Sequence, residues 1–243
     1  MAKNIVICCD GTGNEVDAGE QTNVVKLYRI LDKSDPSKQI VYYHPGVGTL
    51  GAPGFQTRTA KFITTVMGLA FGYGMFRNVK SAYTYLVRRY EPGDRVYLFG
   101  FSRGAYGVRA LLGLIQMCGL LNSGNENLVD YAIKLHRTRR RGAPDWKGAA
   151  RFKKYFARNC PIHFIGIWDT VKSVGLFRRS VVLPYTADLG NVANGRHALA
   201  LCEKRSKYRP NLWDPPDGDD FKQIVVPRRA LRCRRVVRGF ASF

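Results

Sequence analysis

Apolar and polar positions fall into blocks along the chain, and the spacing within the blocks changes. Residues 4–9 are a continuous apolar run ending in the polar, glycine-rich turn Asp10-Gly11-Thr12-Gly13-Asn14. An unbroken run of this length fits a strand covered on both faces. Val24, Leu27, Tyr28 and Leu31 then recur at helical spacing. A second β-branched and aromatic run, residues 39–43, stops at Pro45-Gly46, and residues 46–75 read as a glycine-rich, irregular insertion or lid. Phe76, Val79, Tyr83, Leu86, Val87 and Tyr90 mark an amphipathic helix closed by Glu91-Pro92-Gly93-Asp94. Further strands are predicted at 95–100, 162–168 and 223–226. Helices are predicted at 105–121, over the basic stretch 126–158, and at 197–201. Nearly all-apolar strands alternating with helices predict an α/β fold, a mostly parallel sheet with helices on both faces. In such sheets the chemistry lies beyond the carboxyl ends of the strands. Three strand ends carry candidate groups: Asp10-Gly11-Thr12, Ser102 and Asp169.

Composition narrows the class. With 243 residues, 45% hydrophobic and 12% aromatic, the chain has enough apolar material for a packed core and too much for a disordered one. The longest charge-free stretch, residues 62–76, is shorter than a membrane span and interrupted by glycine. The first residues lead straight into a strand with no secretory leader, so synthesis in the cytoplasm is expected. The six cysteines, at 8, 9, 118, 160, 202 and 233, show no metal-ligand spacing. They are expected reduced and mostly buried, with no metal and no cofactor. The formal charge of +21 alone points to nucleic acid or an anionic membrane. Its distribution weakens that reading. Ten basic residues and one acid, Asp145, occupy 134–158, and six arginines occupy 225–243. Neither a helix-turn-helix pattern nor an aromatic-interleaved basic run is read from the sequence.

The most specific chemistry is Gly100-Phe101-Ser102-Arg103-Gly104, a G-x-S-x-G between an apolar strand and a helix. That context fits a nucleophile elbow, in which the glycines permit a tight turn that lifts the serine hydroxyl out of the sheet. The backbone N–H of Arg103 would face a developing oxyanion, and the turn at Gly11 would supply a second donor. Asp169 follows the next strand, in the Ser…Asp…His order of α/β-hydrolases. The phosphatase pattern D-x-D-G-T fails, because Cys8 stands where the nucleophilic aspartate would be. Among His44, His136, His163 and His197, only the last follows Asp169. It is a weak candidate for the base, since its segment does not read as a loop after a final strand.

Several segments in order, namely Cys8-Cys9-Asp10-Gly11-Thr12, residues 42–49, Pro92-Gly93-Asp94 through Ala105, residues 166–171 and residues 197–213, together resemble the type VI secretion phospholipase effectors of the first Tle family. The resemblance implies an α/β-hydrolase core over residues 1–224 and a lipid or other ester as substrate. It also implies Ser102 as nucleophile, Asp169 as triad acid, export by a type VI system, and secretion-apparatus or immunity proteins as partners. In the family a strand like Q-[IV]-W-F-x-G-V-H-S-D-V-G-G delivers a histidine that looks like the base. Here Gln223-Ile224 is followed by V-V-P-R-R-A-L-R-C-R-R, residues 225–235. Written in GC-rich codons with one inserted G, W-F-P-G-V-H-S-D-V-G-G translates to those eleven residues. Residues 225–243 are therefore expected to be an out-of-frame basic tail, and the printed polypeptide is expected to be poorly active. The competing class is a non-catalytic module that binds an anionic membrane or nucleic acid on a hydrolase scaffold.

Overall fold

Six segments form one six-stranded sheet: β1 (Asn4–Cys9), β2 (Gln39–His44), β3 (Arg95–Phe101), β4 (Ile162–Trp168), β5 (Val192–Ala200) and β6 (Phe221–Val226). All neighbours run parallel, in the order β6-β5-β4-β3-β1-β2. The computed structural model describes residues 2–11, 21–46, 60–140, 143–169, 190–200 and 220–226, with the backbone alone for 60–73, 139–140 and 200. The expected mostly parallel α/β sheet with helices on both faces is present.

Register assigns each side chain a face, because parallel partners point the same way. Ile5, Ile7, Leu98, Ile165 and Ile167 share one face with α2 (Ala60–Arg89) and α3 (Arg103–Cys118). Val6, Cys8, Phe99, Phe164 and Trp168 share the other with Val24 and Leu27 of α1 (Asn23–Ile30). Two further helices, α4 (Val129–Arg137) and α5 (Trp146–Phe156), pack on the outer side of α2 and α3. The central strands are buried on both faces, which is why their sequences read as unbroken apolar runs. Asp94 locks the amino end of the sheet. Its carboxylate takes the Lys3 ammonium at 2.6 Å and the N–H groups of Lys3 and Glu91 at 3.0 and 2.9 Å.

Three expectations are corrected. Residues 60–75, read as part of an irregular lid, continue the helix that follows them. Each glycine costs about 1 kcal/mol in a helix interior, but elongating an anchored helix adds one hydrogen bond per residue. The stretch 126–158 is not one helical region but two helices separated by a short antiparallel pairing of 139–140 with 143–144. Residues 197–200 belong to a strand, because pairing with β4 and β6 on both sides outweighs the helical preference of Ala198-Leu199-Ala200. The segments 12–20, 47–59, 170–189, 201–219 and 227–243, with Thr12, Cys202, Cys233 and nearly all of the expected tail, lie outside the described residues. The free cysteines Cys8, Cys9, Cys118 and Cys160 are buried. Burial pushes the thiols of Cys9, Cys118 and Cys160 up to about 12, so they are not thiolate nucleophiles. Among the described residues no helix is long and apolar enough to cross a membrane.

Candidate active site

The order of the sheet reverses direction at β1, with β2 on one side and β3 on the other. The switch point lies at the carboxyl ends of β1 and β3, where Asp10-Gly11 and Ser102 emerge. The two glycines of the serine motif are fixed by close approach. A Cβ on Gly100 would lie 2.6 Å from the Ala105 Cα and 2.8 Å from the Gly104 carbonyl oxygen, and one on Gly104 would collide with the carbonyl oxygen of Cys9. Only glycine lets the helix start this close to the strands.

Ser102 sits between them with φ +53° and ψ −114°. A serine that merely caps a helix adopts extended backbone and turns its oxygen onto an N–H of the first turn. Thr22, capping α1, has φ −67° and ψ 162° and accepts from the Val25 N–H at 3.2 Å; Asp145 caps α5 by accepting from the Gly148 N–H at 3.1 Å. Ser102 does neither, and its side chain makes no cap hydrogen bond. Its N–H donates to the Trp168 carbonyl at 2.8 Å, tying the elbow to the end of β4.

Asp169 follows directly at φ +51°, and its N–H donates to the Ala198 carbonyl at 2.8 Å. Ser102 and Asp169 are therefore each one residue beyond the register row Phe101–Trp168–Ala198. The structure brings these two predicted residues to one rim on adjacent strands, both in left-handed backbone that non-glycine residues rarely adopt. Such outliers cluster at functional sites.

Gly11 is at the same rim, but its N–H donates to Asp10 Oδ1 at 2.6 Å. The Asp10 carboxylate is buried and also accepts from the hydroxyls of Thr22, at 2.8 Å, and Tyr43, at 3.0 Å. Burial and the neighbouring Asp10 charge push the Tyr43 phenol upward. Asp10 thus acts as the clasp of the turn after β1, a role the sequence did not disclose because Thr22 and Tyr43 are 12 and 33 residues away. A narrow cleft beside the turn is lined by Cys9, Asp10, Met75, Asn78, Arg103 and Gly104 among others.

The histidines divide differently. His197 is in mid-strand, one row below the rim, on the same sheet face as Ile167 and fully buried. Burial first, and the Arg109 charge second, hold its imidazole down to about 3, against a hydrogen bond between Nδ1 and Gln223 Oε1 at 3.2 Å. An imidazole of such low basicity, buried one row below the rim, is poorly matched to taking a proton from Ser102. His44 ends β2, with Nδ1 2.6 Å from the Pro45 carbonyl oxygen; His163, in β4, packs edge-on against Tyr97 of β3; His136 is buried in α4. Arg109, buried within α3, was also missed; its place among Val108, Ala110 and Leu111 was the available signal.

The profile of the family described as T6SS, phospholipase effector Tle1-like, catalytic domain matches residues 3–227. The uncharacterized protein YEL023C of Saccharomyces cerevisiae is 36% identical over 232 residues, which cover 88% of this chain and 33% of that protein. The chain thus spans about a third of the length of that relative. Among solved structures, a Tle1 effector bound to the VgrG spike of the type VI secretion system aligns with 93% of this chain and 49% of that one, at 17% identity and a TM-score of 0.47. An uncharacterized Pseudomonas aeruginosa protein aligns with 93% of this chain and 40% of that one, at 16% identity and a TM-score of 0.46.

Proposed function

The chain belongs to the Tle1-like catalytic-domain family of type VI secretion phospholipase effectors, and from that membership we propose that its domain is a serine hydrolase of lipid carboxylic esters. The observation that carries the reading is Ser102: a strained, uncapped serine at the switch point of a parallel sheet, between two glycines that cannot be replaced. In the proposed reaction the Ser102 Oγ attacks the ester carbonyl while a histidine takes its proton. Asp169 orients that histidine, and the imidazolium then returns the proton to the departing alcohol. Water hydrolyses the acyl-enzyme by the same route. The Arg103 N–H, in the first turn of α3 where backbone donors lack intrahelical acceptors, binds the oxyanion. Gly11 is the second donor proposed, and must exchange its contact with Asp10 for the substrate oxygen. No cofactor enters this scheme. An ester lipid is the proposed substrate class and, by the same membership, a secretion-apparatus spike the proposed delivery partner.

The proposed base is the histidine that the family pattern places after the last strand, and residues 225–243 are proposed to replace it through a single-base frameshift. The family match ends at residue 227, close to that boundary. Loss of the base lowers turnover by roughly 10⁴–10⁶-fold. The test compares the printed chain, a chain with the reading frame restored after Ile224, and the restored chain carrying Ser102→Ala, all on a p-nitrophenyl ester. Only the second is expected to turn over rapidly. Equal activity of the first two refutes the missing base, and full activity of the third refutes the nucleophile.

A further inference from the structure

Away from the rim, the outer surface of α4 and α5 combines cations with exposed aromatic rings. On α5, Ala149 and Phe152 point inward, whereas Lys147, Arg151 and Lys154, at i, i+4 and i+7, form one solvent-facing row. Trp146 and Tyr155, half a turn apart around the helix, flank that row on its two sides, about 14 Å apart along the axis, 45% and 68% exposed. Phe156 and, on α4, Tyr131 are also exposed and join the ring cluster through Phe152. Lys134 and Arg137 extend the positive surface along α4. The two acids within these elements are engaged: Asp130 pairs with Lys80 at 2.6 Å and Asp145 caps α5. Among the described residues no carboxylate pairs with Lys147, Arg151 or Lys154. At the end of α4, the Arg137 guanidinium lies 4.1 Å over the Phe76 ring, next to Met75 in the wall of the cleft.

We propose that this face of α4 and α5 docks the domain on an anionic lipid bilayer. Amphipathic rings settle at the depth of the headgroups, and lysine and arginine beside them gain from the negative surface potential. The choice of a bilayer over a nucleic-acid strand rests on the lipid-ester reading and on shape. The cations sit on convex helix faces, with rings on the two sides of the row rather than in a charged groove that tracks a strand. Docking here brings the Arg137 end of the face, and with it the wall of the cleft, towards the lipid.

The test uses the full chain carrying Ser102→Ala, so that no lipid is consumed, with phosphatidylcholine vesicles with and without phosphatidylglycerol. The chain is expected to bind only the anionic vesicles. Combined Lys147→Ser, Arg151→Ser and Lys154→Ser weakens binding roughly a hundredfold. Combined Trp146→Ser and Tyr155→Ser removes the part that survives high salt. Brominated lipid quenches the fluorescence of the bound chain, and Trp146→Phe abolishes most of that quenching while binding persists. The proposal is overturned if the triple variant binds within twofold of its parent or if quenching is unchanged by Trp146→Phe. It is equally overturned if poly(uridylate) binds more tightly than the anionic vesicles at physiological salt. Hydrolysis of a soluble short-chain ester by the frame-restored enzyme reports separately on the hydrolase reading and is unaffected by the triple substitution.

Discussion

Ser102 and Asp169 both occupy left-handed backbone, at a cost of about 1–3 kcal/mol each. The surroundings that hold them there are specific enough to test. Gly104→Ala pushes a methyl group into the carbonyl oxygens of Cys9 and Asp10, and no flexible side chain can yield. It is expected to lower stability by about 1–3 kcal/mol, the range for overpacking, measured as a shift in the urea midpoint; an unchanged midpoint contradicts the tight elbow. His197 supplies a pH-dependent prediction. Its folded pKa, near 3, lies below the unfolded value of about 6.5, so at pH values between the two the unfolded chain binds a proton that the folded chain refuses. Stability from this residue is complete above the unfolded pKa. It falls as the pH drops, by up to about 1.4 kcal/mol per unit. Burial also depresses His44 and His163, which act with the same sign. Urea unfolding at pH 7 and pH 5 is expected to show a smaller loss in His197→Gln than in the parent; equal losses contradict the buried neutral ring. The serine was legible in sequence because its motif is five contiguous residues flanked by a strand and a helix. The strand placement of His197 was not legible, because it is set by pairing with β4 and β6, which are distant in sequence.

At the scale of elements, the central strands were readable from their unbroken apolar runs. The edge was not. Val192–Ala200 mixes Asn194, Gly195, Arg196 and His197 with small apolar residues, a pattern without a clear period, and only pairing on both sides makes it a strand. Likewise the helical path of residues 60–75 is obscured by Gly68, Gly72 and Gly74, which read as breakers but lie in the extension of a helix packed further along. Among the described residues β6 is an outermost strand, and it is expected to cause trouble in solution. It pairs on one side with β5, and Ile224 and Val225 are 48% and 58% exposed. An edge with exposed apolar residues templates association. Val225→Lys is expected to suppress concentration-dependent light scattering and to change stability by no more than about 0.5 kcal/mol. Scattering equal to that of the parent contradicts the edge as the site of association.

For the whole molecule, the +21 charge resolves into parts with different meanings. The outer face of α4 and α5 carries a cationic row fitted to an anionic surface. The six arginines of residues 225–243 are, on the proposed frame change, a product of GC-rich codons. On the proposed mechanism, catalysis joins an elbow near the middle of the chain, a carboxylate just beyond the adjacent strand and a base delivered after β6. The elbow can form without the base because its geometry is set by Gly100, Gly104 and the β4 backbone. Activity cannot. The most direct measurement treats the frame-restored chain with a fluorophosphonate and locates the adduct by mass spectrometry. A single stoichiometric adduct on Ser102, lost in Ser102→Ala together with ester hydrolysis, is the expected result. Ester hydrolysis that persists with Ser102 unmodified, or an adduct on another residue, contradicts the account.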